Sequence, residues 1–218
     1  MKIKINNIDI FYKTIGSGPP LIMIHGNGES HNIFDKAVSI LSKRYTVYLL
    51  DSRGHGSSKY KGDLHYEDMA SDIYQFINKL NIKNPVFYGF SDGGIIGIIL
   101  AIKYPKLLKS MVISGVNIKP EGIKRKWLLV FKFIYKVTRS KSYYMMLTEP
   151  NLQEDLLKQI EIPTYITAGS KDMISLEHIN HISELIPNST IKIFTNQGHG
   201  SYIVNSTVIA DYIMELSL

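Results

Sequence analysis

Cysteine is absent from the 218 residues of this chain. Disulfide frameworks, thiolate nucleophiles and cysteine-based zinc sites are excluded with it. No run reaches the roughly 18 consecutive apolar residues that a membrane-spanning helix needs. The opening stretch, MKIKINNIDIFYK, alternates apolar and polar residues and lacks the apolar core of a secretory signal. These absences predict a soluble, cytoplasmic protein. Internal repeats and low-complexity linkers are also missing. A chain of this length supports one core and is short for two, so a single domain over residues 1–218 is expected. Acidic residues are scarce in one place. Residues 119–141 hold eight basic side chains against Glu121 alone, a local charge of +7, whereas the remainder sums to −1. So localised a charge, with no nucleic-acid-binding motif beside it, argues against a nucleic-acid partner.

What is present is an alternation of strand and helix patterns. Residues 3–5 and 8–15 alternate in period two and predict a hairpin. Short apolar runs at 21–24, 46–50, 85–90, 109–114, 163–168 and 190–194 predict strands. Helical spacing covers 33–41, 65–80, 93–104, 176–186 and 203–216. VFYGF and MVISG are apolar without alternation, as parallel strands covered on both faces must be. A doubly wound α/β sheet follows. In such sheets ligands bind beyond the carboxyl ends of the strands. Each of the Gly-, His- and Asp-rich turns HGNG, DSRGHG, GFSDGG, AGSKD and NQGHG follows a predicted strand. Polar chemistry is thereby stacked on one edge of the sheet.

The pattern Gly89-Phe90-Ser91-Asp92-Gly93 stands between a strand and a helix, the setting of a nucleophile elbow. Taken alone, Ser91 is equally a helix cap. Its company favours the nucleophile. A serine nucleophile needs a base, and His199 lies in the loop after the last predicted strand. His25 and His55 sit in glycine-flanked turns and are expected to be structural. His31, His65, His178 and His181 fall in or beside helical patterns and are expected at the surface. The imidazole in turn needs a carboxylate to hold its tautomer. Asp172, just past strand 163–168, fits the chain order Ser91, Asp172, His199. Asp51 is the runner-up. The backbone N–H groups of Asp92 and Asn27 are the expected oxyanion donors. The Asp92 side chain has two readings: it favours the positive end of the helix, or it enters the pocket and pairs with a substrate cation.

Jointly HGNGES, DSRGHGSS, GFSDGG, AIKYP, AGSKD and NQGHGS resemble the α/β-hydrolase superfamily, from about Phe11 to the C-terminus apart from one insertion. SDGG followed by a helix ending in Tyr-Pro is similar to the biphenyl-hydrolase-like branch, whose activity includes amino-acid esters. The resemblance implies an eight-stranded, mostly parallel sheet with an antiparallel second strand. It also implies acyl transfer with neither metal nor cofactor. Haloalkane dehalogenases and epoxide hydrolases of this fold use an aspartate nucleophile, and Ser91 argues against both. Cofactor-free haloperoxidases share the serine triad. The expected function is a serine hydrolase acting on small carboxylic esters. Thioesters, lactones and amino-acid esters or amides are alternative substrates. A non-catalytic ligand-binding or signalling protein is the alternative of another class.

Residues 117–161 interrupt the rhythm between two strands and are expected to form a small helical cap of one or two helices. Ile123, Trp127, Val130, Phe131, Ile134 and Val137 recur at helical spacing, opposite Arg125, Lys132, Lys136 and Arg139. The expected arrangement turns the apolar face onto the site and the basic face to water. Attraction to an anionic membrane or an acidic substrate is the alternative. Trp127, Phe131, Tyr143, Tyr144 and Met145 are expected to line the pocket or pack in the core.

Overall fold

The computed structural model describes residues 1–218. Eight strands form one sheet: β1 (Lys2–Ile5), β2 (Ile8–Ile15), β3 (Pro20–Ile24), β4 (Thr46–Leu50), β5 (Val86–Phe90), β6 (Ser110–Ser114), β7 (Thr164–Gly169) and β8 (Ser189–Phe194). Their order across the sheet is β1-β2-β4-β3-β5-β6-β7-β8. β2 runs antiparallel to both of its neighbours, β1 and β4, and every other pairing is parallel. This is the α/β-hydrolase arrangement expected from the motifs.

Helices α1 (Asp35–Leu41), α2 (Tyr66–Lys79), α3 (Asp92–Lys103), α4 (Arg125–Thr138), α5 (Lys141–Thr148), α6 (Glu154–Leu157), α7 (Leu176–Leu185) and α8 (Val208–Leu216) surround the sheet. Successive strand residues point to opposite faces, and the two cores divide accordingly. Ile22, Ile24, Phe87, Met111 and Ile113 pack with α2, α3 and α7. Leu21, Met23, Val86, Tyr88 and Val112 pack with α1 and α8. An uninterrupted apolar strand thus feeds both layers, which is why these strands do not alternate in sequence. No helix is long and apolar enough to cross a membrane.

Three details depart from the sequence reading. The last helix begins at Val208 rather than at 203, because the buried Tyr202 and Ile203 belong to the turns after His199 and plug the core there. Residues between β6 and β7 hold three helices, α4, α5 and α6, after a single 3-10 turn at Pro120–Gly122. His31 and His178, expected at the surface, are buried. Both serve as polar anchors: His31 pairs with Asp51, and His178 Nε2 accepts the Ile118 N–H at 3.1 Å.

Strand registers align the carboxyl ends. Ile24 lies opposite Leu50 on one side and Gly89, one residue short of the end of β5, on the other; Phe90 lies opposite Ser114, and Gly169 lies opposite Phe194. The loops that carry His25, Asp51, Ser91, Asp172 and His199 therefore leave the sheet along one edge.

Candidate active site

Ser91 terminates β5 and opens α3 with φ 51° and ψ −113°, a left-handed conformation that non-glycine residues rarely adopt. Glycines on either side make that turn possible. A Cβ on Gly89 would overlap the Gly93 carbonyl, and one on Gly93 would overlap the Ile24 carbonyl. Strand, serine and helix are consequently drawn together more tightly than any side chain allows.

The turn aims Ser91 Oγ at His199. The hydroxyl donates to Nε2 at 3.1 Å, and Nδ1–H donates to Asp172 Oδ1 at 2.7 Å. Asp172 is fully buried, and its oxygens also accept the Ile174 and Gly169 amides at 3.0 and 3.4 Å. Burial by itself pushes this carboxyl up. The bond from His199 and the two amides outweigh it and hold the group below its ordinary range. An ionised Asp172 fixes the His199 tautomer, leaving Nε2 free to take a proton from Ser91.

Asp51, the other candidate acid, is spent elsewhere. Its oxygens accept the His31 amide, the His31 ring and the Ser57 amide at 2.8, 2.7 and 2.8 Å. Two residues on, Arg53 is clamped by Asp72 through two bonds of 2.6 and 2.7 Å. DSRGHGSS is therefore a scaffold that pins one loop behind the site. His25 belongs to the same scaffold. Its Nδ1–H donates to the Gly26 carbonyl at 2.7 Å while Nε2 accepts the Ser52 amide at 3.1 Å. A second ring proton would face that amide, and burial lowers the His25 pKa to about 4.

The amides of Asn27 and Asp92 donate to no acceptor within the chain. Asn27 lines the same cavity as Ser91, and Asp92 follows the serine at the start of α3. Asn27's carboxamide instead reaches the Ser142 carbonyl on α5 at 3.2 Å, tying this loop to the insertion. Asp92's side chain is buried, and Asp92 is not among the residues that line the cavity. It is 4% exposed, and Oδ1 accepts the Tyr66 hydroxyl at 2.8 Å. Burial pushes its carboxyl above the ordinary range. Its second oxygen, Oδ2, is buried without a partner.

A cavity of about 220 Å³ opens beside Ser91 and His199. Gly26, Asn27 and Glu29 form one wall, and Phe131, Tyr143, Met146 and Met173 the other. Phe131 is where the sequence placed it. Trp127 stands outside, its ring centre 6.3 Å from that of Phe131. Tyr143, also among the expected lining residues, does line the cavity, whereas Tyr144 is 51% exposed and outside it, and Met145 packs in the core. On a helix these neighbours differ by about 100°, so only the packing of α5 decides which one faces inward.

Glu29 escaped sequence reasoning. Its carboxylate accepts the Gly26 amide at 3.0 Å and bounds the cavity. Burial raises its pKa to about 7, with Asp92 adding repulsion against the pull of the Gly26 amide and His199. The only signal for it was the glutamate next to last in HGNGES, three residues beyond Gly26.

Residues 19–139 match the family model described as the alpha/beta hydrolase fold. The chain belongs to the α/β hydrolase family. Among its relatives, the mouse protein called serine hydrolase BPHL is 25% identical over 236 residues, covering 93% of this chain and 80% of the relative. An esterase from Exiguobacterium antarcticum superposes with a TM-score of 0.87 at 22% identity, covering 99% of this hydrolase and 98% of that chain. The enol-lactonase of Burkholderia xenovorans superposes at 0.83 with 16% identity and full coverage of both chains. At those identities the two structures speak for the fold of this α/β hydrolase alone.

Proposed function

We propose that this α/β hydrolase is a serine hydrolase cleaving small carboxylic esters through an acyl-enzyme, with Ser91 as nucleophile, His199 as base and Asp172 as its orienting acid. The observation that carries this reading is the continuous hydrogen-bonded line from Ser91 through His199 to a buried Asp172.

In the proposed reaction His199 Nε2 takes the Ser91 proton as Oγ attacks the acyl carbon. The resulting oxyanion lies against the Asn27 and Asp92 amides. Placing fixed donors where charge develops lowers the barrier, commonly by ~3–4 kcal/mol per donor. Collapse of the tetrahedral species expels the alcohol, which takes the proton back from His199. Water then adds with His199 again as base, and the acid leaves. A lactone follows the same steps with its alcohol still tethered.

Cavity size favours small acyl groups. About 220 Å³ lies below the roughly 300–1,000 Å³ of sites for drug-sized ligands. The test is turnover of a short-chain p-nitrophenyl ester together with labelling by a fluorophosphonate. Both are expected in the wild type, and both are lost in Ser91→Ala. Turnover persisting in that variant overturns the assignment, while labelling without turnover of any ester points to a non-catalytic binding protein.

A further inference from the structure

Helix α4 does not turn its apolar residues only toward the site. Trp127, Leu128, Phe131, Ile134 and Tyr135 make the covered side. Val130 and Val137, grouped with them by spacing, point outward and are 43% and 68% exposed. Leu129 and Phe133 join them at 58% and 68%. Ile123 lies before the helix, bridged to Ile174. Four of the nine large apolar side chains exposed on the whole chain thus stand on one face of one helix.

Arg125, Lys132, Lys136 and Arg139 flank that face on one side, and Lys126 lies within it. None of the five forms an ion pair within the chain. An exposed apolar strip costs free energy in water and needs a cover. A second copy would bring a +7 segment against its like, and a nucleic acid offers phosphates but nothing for Phe133. Anionic lipid supplies both an apolar boundary and negative headgroups. The helix has 14 residues, about 21 Å of length at 1.5 Å per residue, so it lies on a bilayer rather than spanning it.

We propose that α4 is an interfacial helix that docks the insertion on an anionic membrane surface. Leu129, Val130, Phe133 and Val137 enter the headgroup region, and Arg125, Lys132, Lys136 and Arg139 lie among the phosphates. Phe131, on the opposite side of the same helix, keeps its place in the cavity wall, so docking leaves the pocket just behind the contact.

The test is flotation of the full chain with phosphatidylcholine vesicles, with and without a minor fraction of phosphatidylglycerol, at low and high salt. Binding is expected only with phosphatidylglycerol and is weakened by salt. Leu129→Ser/Phe133→Ser, which leaves the charge unchanged, is expected to lower partitioning about tenfold or more. Lys132→Gln/Lys136→Gln is expected to lower it by a similar order. Ser91→Ala is expected to bind like the wild type, which separates this inference from the catalytic one. Soluble-ester turnover in the helix variants reports that they fold. No binding, equal binding to neutral vesicles, or full binding by the Leu129→Ser/Phe133→Ser protein overturns the proposal. So does a dimer in solution that Phe133→Ser dissociates, since the face then belongs to a second copy.

Discussion

Two regions meet at the cavity, and they are built differently. Along the sheet edge, most polar groups are buried and paired: Asp51 with His31 and Ser57, Arg53 with Asp72, His25 with Ser52 and Gly26; His31 Nε2, Ser52 Oγ and Asp92 Oδ2 are buried without a partner. The insertion buries little of itself. On α4 only Phe131 is buried, and basic and apolar side chains share its outer face. Bonds attach it below, among them Lys124 Nζ to the Asp172 carbonyl at 2.6 Å, Asn27 to the Ser142 carbonyl at 3.2 Å, and the backbone pairs Lys124 to Met173 at 2.9 Å and Ser175 to Gly122 at 3.0 Å. Position is therefore set by buried polar bonds and close backbone approach at the edge, and on α4 by a shallower, mostly half-buried packing. Changes at the edge should be all-or-none, and changes in the insertion graded.

The strongest test of that contrast is the edge itself. Ser91→Ala or His199→Ala is expected to lower kcat by about 10⁴-fold or more, and Asp172→Asn by roughly 10³–10⁴-fold, with the circular dichroism of the wild type. Retained activity in Asp172→Asn would show that another group orients His199.

Gly93→Ala comes next. Its new Cβ meets the Ile24 carbonyl, which belongs to a central strand and has nowhere to move. A loss of about 3 kcal/mol or more in chemical denaturation is expected. A near-neutral result would mean that the edge yields as readily as the insertion.

Glu29 joins the two regions and makes a pH prediction. Its pKa of about 7 in the fold exceeds the ordinary 4.5. Between those values the folded chain holds a proton that the unfolded chain has released, so this group lowers stability as pH rises. Glu29→Gln removes that effect while keeping an acceptor for the Gly26 amide. Its stability relative to wild type should grow from pH 5 to pH 8 by about 1–3 kcal/mol. A pH-independent difference would place Glu29 in water rather than in the wall.

The smallest effects belong to the insertion. Phe131→Ala should change kcat/KM by about three- to tenfold and favour longer acyl chains. Tyr144→Ala should change it by less than about twofold, because the ring is outside the cavity. A larger loss there would show that the insertion closes further during turnover.

Much of this molecule was legible from residues in order. Elbow glycines, the strand-to-loop positions of Asp172 and His199, and the apolar runs of β5 and β6 all express local rules of sterics and period. A parallel sheet then brings the ends of its strands together whatever the side chains are, so the approach of Ser91, His199 and Asp172 could be anticipated without coordinates. Tertiary structure alone decided the rest. Helical spacing shows that α4 is two-sided, but the neighbour that packs on it determines which side is covered, and α5 and the cavity cover a different arc from the one the spacing suggested. The partner of the Asp92 carboxylate was not legible either; it is the Tyr66 hydroxyl on α2, 26 residues away in sequence. Glu29 became part of the wall because its loop folds back on Gly26. Contacts between segments remote in sequence set the first two outcomes, and no local period encodes them; the Glu29 bond spans three residues, and only the cavity beside it makes that carboxylate part of a wall.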